Sequence, residues 1–309
     1  MAKMATRQAY GKALAELIVE NPNVVVLDAD LTKSTMTNEA KQVCPERHFN
    51  MGIAEGNMMS VAAGLAASGK VVYASSFSMF ATGRAFEQLR NSVCYPNLNV
   101  KVCGTHAGIT VGEDGASHQA IEDIAIMRAV PNMKVIQPCD SFETKAVIKA
   151  IADVQGPVYV RLGRSAVEDV HDESYQFALG KAEVLKKGEK VALLATGMMV
   201  QEALKAAEIL KEDGLDVTVA NFASIKPIDE ELIVELAKEH EYLFTLEEHN
   251  VVGGFGGAVA EVLVKKAPHK LEMIGMQDHF GESGKVSDLL EKYGLNANGI
   301  VKKVRKSVQ

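Results

Sequence analysis

The sequence predicts an α/β protein of two domains, each a mostly parallel sheet flanked by helices, and three observations predict it. β-branched apolar runs recur along the chain with helix-length amphipathic stretches between them, and strands joined by such connections come back parallel because the crossover needs a helix. The runs are apolar throughout rather than alternating, the pattern of strands buried on both faces. At 309 residues with 47% hydrophobic content, the chain has room for roughly two cores of ~150 residues each.

Thr6 to Val19 is amphipathic, with Ala9, Ala13, Leu17 and Ile18 recurring at helical spacing, and Asn21-Pro22-Asn23 then turns the chain into the strand VVVLDAD. Strands KVVYAS, NVKVCGT, MKVIQP and VYVRL follow. Between them lie the helix-like FEQLRNSV, a helix around IEDIAIMRAV and another across SFETKAVIKAIA, for which Asp140 and Glu143 supply a capping box. From Ser165 to Gly180 the pattern lapses into an acidic stretch without a period, which reads as a connection. The expected division is therefore a first domain at 1–168, a linker at 169–180 and a second domain at 181–309. In the second, VALLATG, DVTVANF, YLFTL and LEMIGM read as strands. VQEALKAAEIL, DEELIVELAKE and the segment after Gly253-Gly254-Phe255-Gly256-Gly257 read as helices, and helices at Val286 to Tyr293 and Asn296 to Arg305 close the chain.

Composition removes several classes. Forty acidic residues against 33 basic ones give a net charge of −7, and Lys302, Lys303, Arg305 and Lys306 form only a short basic tail, so no nucleic-acid partner is expected. Cys44, Cys94, Cys103 and Cys139 form no CxxC pair and no zinc spacing, which fits reduced thiols in a cytoplasmic protein. The opening MAKMATRQAYGKALAELI is charged throughout, unlike a signal peptide. The weakly polar run Met58 to Ala67 is far short of the ~20 residues of a membrane helix, so no membrane partner is expected.

Three clusters carry chemistry. Gly52-Ile53-Ala54-Glu55-Gly56-Asn57 places a carboxylate at a helix start, where a lone glutamate also serves simply to complement the helix dipole. Ser75-Ser76-Phe77-Ser78-Met79-Phe80 follows a strand, and its aromatics suit either core packing or stacking on a ligand ring in the crevice where α/β folds bind ligands. The densest cluster runs from Thr105-His106-Ala107-Gly108 to Val111-Gly112-Glu113-Asp114-Gly115-Ala116-Ser117-His118-Gln119. A long Gly-rich polar loop at a strand's carboxyl end points to function, and its histidines suit hydroxyl recognition and proton transfer. His106, Asp114 and His118 have no recognised metal-ligand spacing, and no metal ligand is assigned. GGFGG matches neither GxGxxG nor GxxxxGK[ST] and reads as a tight loop before a helix.

Together these segments resemble transketolase, specifically its pyrimidine-binding and carboxyl-terminal domains. The resemblance begins at MATRQAYGKAL and LDADLTKST and passes through GIAEGNM, SSFSMF, THAGITVGEDGASHQ, PNMKVIQPCD and GPVYVRLGR. It ends at DHFGESGKVSDLLEKYGL. It implies a transferase of the pentose phosphate pathway that uses thiamine diphosphate and Mg²⁺ to move a two-carbon ketol unit from a ketose phosphate to an aldose phosphate. By this resemblance Glu55 bonds N1′ of the cofactor's aminopyrimidine, Phe80 stacks on that ring, Phe77 lines the same pocket and Asp30 approaches the thiazolium side. Arg7, Ser34, His106 and Arg164 match positions that bind the sugar phosphate and nearby hydroxyls, Asp114 the acceptor's C2 hydroxyl and His118 the donor's C1 hydroxyl. His106 and His118 are the implied proton handlers beside Glu55. Arg161 reads as a second phosphate ligand or a strand-end charge.

Two departures matter. Gly83 stands where many family members carry a third aromatic, and no Gly-Asp-Gly motif occurs to hold the diphosphate and its magnesium. The resemblance therefore implies a split enzyme: this chain is the carboxyl-terminal subunit, and a separate amino-terminal subunit carries the diphosphate and Mg²⁺ in an α2β2 assembly. 1-Deoxyxylulose-5-phosphate synthase shares the domain order, but usually has an acidic residue and an arginine where Thr105-His106 stand. The β subunit of a 2-oxo-acid dehydrogenase shares the two domains and lacks the GEDGxxHQ loop. The non-enzyme alternative is a regulatory partner of a thiamine enzyme, against which the joint presence of Glu55, Phe80, His106, Asp114, His118 and Arg164 argues.

Overall fold

The computed structural model describes residues 3–308. The chain forms two compact units, one of residues up to 107 together with 126–178, the other of 108–125 together with residues from 179 onward. The first contains β1 (Lys3–Ala5), α1 (Thr6–Glu20), β2 (Val24–Asp28), α2 (Asn38–Val43), β3 (His48–Asn50), α3 (Glu55–Ala67) and β4 (Val71–Phe77). After a short α4 (Phe86–Gln88) come β5 (Val100–Thr105), α5 (Asp123–Ala129, whose residues 123–125 count with the second unit), β6 (Lys134–Ile136), α6 (Ser141–Ala150), β7 (Val158–Arg161) and β8 (Ala166–Glu168).

Six of these strands form a sheet in the order β6-β7-β5-β4-β2-β3, every pair parallel. The apolar runs explain this: every residue of β2, β5 and β7 is buried, as strands covered on both faces require. α1 turns Ala9, Tyr10, Ala13, Leu14, Leu17 and Ile18 into the core, the side its spacing marks.

Three expectations differ in detail. FEQLRNSV is not one regular helix; α4 lies between π-helical stretches Phe80–Arg84 and Leu89–Cys94. The capping box at α6 is half formed. The Asp140 carboxylate accepts the Glu143 N–H at 2.8 Å, while the Glu143 carboxylate takes the N–H of Cys139 at 2.7 Å instead of that of the cap itself. The aperiodic stretch after Ser165 contains β8, which pairs antiparallel with β1, Met4 opposite Val167. Strands of three residues are too short to show a period.

The second unit contains β9 (Glu183–Lys186), β10 (Val191–Ala195), α7 (Met199–Glu212), β11 (Val217–Asn221), β12 (Ser224–Lys226), α8 (Glu230–Glu239) and β13 (Tyr242–Asn250). It ends with α9 (Phe255–Lys266), β14 (Leu271–Met276), α10 (Val286–Tyr293) and α11 (Ala297–Val308). Its sheet runs β14-β13-β10-β11-β9, parallel except for β9, which is antiparallel to β11. Asp229 caps α8 by accepting the Leu232 N–H, and α10 stops at Gly294 in the left-handed conformation. The polar loop at 108–125, which in the chain follows a strand of the first sheet, packs within this second unit. Among the described residues no helix is long and apolar enough to cross a membrane.

Candidate active site

β4 delivers Ser75, Ser76 and Phe77 at its carboxyl end, and α3 begins at Glu55. The Glu55 side chain is buried, 1% exposed, at the amino end of its helix, where the dipole favours negative charge. Its carboxylate accepts from the Ser76 hydroxyl at 3.2 Å and from Arg84 Nη1 at 2.9 Å. Arg84 lies half-exposed with its guanidinium 4.3 Å from the centre of the Phe80 ring, a cation–π contact. One π-helical turn, Phe80–Arg84, places both residues, and such turns recur at functional sites.

Phe77 and Phe80 stack with ring centres 6.0 Å apart and 20° between planes. Phe77 also meets the His106 ring, 3.9 Å between centres. His106 follows β5, is buried, and sits at φ +56 with its Nδ1 2.9 Å from the Thr105 hydroxyl. A non-glycine residue held there is strained, and such strain concentrates at functional sites. Glu55, Phe80, Phe77 and His106 thus form one continuous group, linked from the carboxylate to the rings through Arg84.

A second group gathers at the amino end of α1. Arg7 Nη1 donates to the Ser34 carbonyl at 2.7 Å, and Thr6 Oγ accepts the Gly163 N–H at 2.8 Å, which ties α1 to the residue before Arg164. Burial, and then the positive charge of Arg164, lower the pKa of Arg7, and its Nε is buried with no hydrogen-bond partner. Two cations this close, one with an unmet donor, suit an oxyanion. Arg161 is buried at the end of β7.

Asp30 belongs to neither group directly. It is exposed, at φ +60, and exchanges two bonds with Asn50, whose side-chain oxygen accepts the Asp30 N–H and whose amide donates to the Asp30 carboxylate. Upstream, Asp28 is buried and anchors this segment: its carboxylate accepts from Thr32 and Thr37 and lies 2.9 Å from His48 Nε2. Burial opposes its ionisation most strongly, but His48, Thr32 and Thr37 together hold its pKa below the ordinary range.

Asp114 and His118 stand in the second unit, on the loop at 108–125. Asp114 is exposed at the end of the 3₁₀ turn Ile109–Asp114, and half-buried His118 has Nδ1 3.0 Å from the Ser117 hydroxyl. Sequence reasoning gave no role to Arg84, Ser76 or Asn50. The four-residue spacing of Phe80 and Arg84 was the available signal, since side chains so spaced share a helical face.

Comparison with known proteins matches both halves of the chain. The transketolase pyrimidine-binding domain model fits residues 2–169, and the transketolase C-terminal domain model fits 180–300. A protein of Methanocaldococcus jannaschii, provisionally named as a transketolase C-terminal section, is 52% identical over 306 residues, covering 98% of this chain and 96% of that one. A 6-deoxy-6-sulfo-D-fructose transketolase subunit of a Clostridium species is 42% identical over 296 residues, covering 96% and 92%. A solved structure described as an inactive β4 tetramer of a split-gene transketolase superposes with a TM-score of 0.90 at 51% identity, covering 99% of this chain and 98% of that one. With both domains matched and relatives aligned over almost their whole length, the chain belongs to the transketolase family, in the form of a split C-terminal section.

Proposed function

We propose that the chain is the carboxyl-terminal subunit of a thiamine diphosphate-dependent transketolase. It would move a two-carbon ketol unit from a ketose phosphate such as xylulose 5-phosphate to an aldose phosphate such as ribose 5-phosphate, working with a separate subunit that holds the diphosphate and Mg²⁺. The observation that carries this reading is the buried Glu55 carboxylate, held by two side chains beside the Phe77–Phe80 pair. That donor set fits the pyrimidine half of the cofactor, since a buried acid can share a proton with a ring nitrogen and aromatic faces suit stacking.

It does not serve the diphosphate half, which needs metal and oxygen ligands to neutralise it. Cys139, Asp140 and His171 are close enough together to suggest a metal. Asp140, however, already accepts the N–H groups of Glu143, Val170 and His171 and lies 2.8 Å from His171 Nδ1. This cluster fastens residues 170–171 to the start of α6.

When bound, thiamine diphosphate supplies the carbon nucleophile and the electron sink. Glu55 would share a proton with the nitrogen of the pyrimidine ring, Phe80 and Phe77 would hold that ring and exclude water, and Asp30 is the residue proposed for the thiazolium side. Arg7 and Arg164 would bind the sugar's phosphate, with the Ser34 hydroxyl as a further donor; an anion there would offset both the burial and, secondarily, the Arg164 charge that lower the pKa of Arg7. Asp114 reads the acceptor's C2 hydroxyl, and His106 and His118 give and take protons at substrate hydroxyls. The Clostridium relative is named for a sulfo sugar, and paired arginines suit a sulfonate as well as a phosphate, so the sugar's anion is the finest part of this reading. That a similar chain is described as inactive in a β4 tetramer supports the need for a second subunit; α2β2 is the stoichiometry proposed for the assembly.

The test is to recover the tagged chain from its native lysate and assay ketol transfer with and without thiamine diphosphate and Mg²⁺. Activity that depends on both and co-elutes with a second chain is expected. A chain that elutes alone in size exclusion with light scattering, or that turns over pyruvate plus glyceraldehyde 3-phosphate instead, contradicts the reading.

A further inference from the structure

The carboxyl-terminal unit carries a buried polar array for which no role has been given. At the end of β13, Glu247, Glu248, His249 and Asn250 follow one another, the first three buried. Three consecutive polar residues on a strand are costly to bury unless each is bonded, so their partners reveal what the array is for.

Most of them lie on the loop at 108–125, in the same compact unit. Glu248 Oε1 accepts the Thr110 N–H at 2.6 Å, 138 residues away in sequence. His249 Nε2 lies 3.2 Å from the Ile124 nitrogen and 3.4 Å from that of Ala125. Its Nδ1 is 2.6 Å from the Asn250 carbonyl, which requires the proton on Nδ1 and leaves Nε2 as the acceptor. The Asn250 N–H donates to the Ile121 carbonyl at 2.8 Å. From the loop side, Gln119 Nε2 donates to its own Ile109 carbonyl at 3.2 Å and to the Glu282 carbonyl at 2.9 Å.

Glycines make these approaches feasible. A Cβ at Gly108 would collide with the Glu248 carboxylate, one at Gly254 with Glu247 and His249, and one at Gly281 with the Gln119 amide. The glycine-rich run at 253–257 thus has a physical reason unrelated to phosphate binding. Gly254 lets Glu247 cap α9, accepting the Phe255 and Gly256 N–H groups at 2.6 and 2.8 Å, while His249 lies alongside.

We infer that the carboxyl end of β13 is a clamp that fixes the loop at 108–125, and that Glu248 and His249 are positioning residues for Asp114 and His118. The inference rests on the proposed reading of those two loop residues as substrate contacts. Bonds at both ends of the loop, Thr110 and Ile124, leave the segment between them little freedom, and misplacing a substrate-contacting group by even an ångström costs heavily in rate. The carboxyl-terminal domain is then part of substrate recognition, although it supplies no group that touches substrate.

Hydrogen exchange on the full chain, followed by kinetics of the partner-bound enzyme, tests this. Glu248→Ala should speed exchange of amides in 109–125 by about 10- to 100-fold, the scale of one hydrogen bond to a charged group, with β10 and α7 unchanged. Glu248→Gln, which keeps an acceptor, should restore most of the protection. In the complex, Glu248→Ala should raise the KM for ribose 5-phosphate and xylulose 5-phosphate by about tenfold with thiamine diphosphate affinity unchanged. Exchange that is unaltered in the loop, or equally raised across the whole unit, overturns the clamp. Faster loop exchange with unaltered sugar kinetics keeps the clamp and overturns the reading of the loop as a substrate contact. Gly108→Ala presses on the same carboxylate from the loop side, and its exchange pattern decides the matter if Glu248→Ala does not fold.

Discussion

Glu55 in the first unit and Glu247 in the second are equally withdrawn from water, 1% and 0% exposed, and very differently held. Glu55 stands at the start of its own helix and takes its two bonds from side chains, Ser76 and a half-exposed Arg84. Glu247 reaches across to α9 and takes its bonds from the backbone N–H groups of Phe255 and Gly256. A side-chain donor can leave with a change of rotamer, whereas a helix must unwind before its first amides can move. A buried carboxylate held by movable donors is open to a ligand; one held by backbone belongs to the fold.

Exchanging the roles of the two acids in experiment gives the largest expected effects. Glu55→Ala in the partner-bound enzyme should lower ketol transfer by about 10³-fold, the middle of the range for a proton-handling group, with assembly intact by light scattering. Glu247→Ala should leave activity per folded molecule near wild type and cost about 2–4 kcal/mol of stability, since two helix-start amides lose a strong acceptor, as read from the urea midpoint. If Glu247→Ala were the inactive variant and Glu55→Ala the unstable one, the contrast would be reversed.

Smaller effects sharpen the picture within the first unit. Arg7→Ala should raise the KM for phosphorylated sugars by about 10- to 100-fold, as loss of a charge-assisted bond implies, with kcat changed far less; an equal fall in both would assign Arg7 to the transition state instead. Phe80→Leu should weaken thiamine diphosphate binding by about 3- to 10-fold, the worth of an aromatic contact beyond its area, measured by calorimetry on the complex. Asp28 gives a pH signature. Its pKa is lowered in the folded chain, so its contribution is full above the unfolded carboxyl value of about 4 and is lost as pH falls through the lowered folded value. Asp28→Asn should therefore be less stable at neutral pH and show a shallower loss of stability below about pH 5, read from urea unfolding across that range.

Much of this was legible in the sequence because its signals are local. The apolar runs of β2, β5 and β7 and the helical spacing of α1 are properties of contiguous residues, and they gave the α/β class and most elements. β1 and β8 were not legible, being three residues each and defined only by pairing across more than 160 positions. The site divides in the same way. Glu55, Phe77, Phe80 and His106 lie in recognisable motifs, and the structure brings them together. Arg84 was missed because its four-residue spacing from Phe80 is a common one that does not by itself mark a site, and its meaning comes from the π-helical turn that sets it over that ring. The clamp at Glu248 was hidden for a plainer reason, since Thr110 and Glu248 are 138 residues apart and nothing in either segment names the other.

In the function proposed above, Glu55 is the pyrimidine-side acid of a two-subunit transketolase. The most direct test of this role measures ketol transfer from xylulose 5-phosphate to ribose 5-phosphate by the partner-bound complex, wild type beside Glu55→Ala, with thiamine diphosphate and Mg²⁺ present and then withheld. Activity is expected in the wild type only with both additions, and its loss in an equally assembled Glu55→Ala complex. Equal turnover by the two complexes would contradict the role.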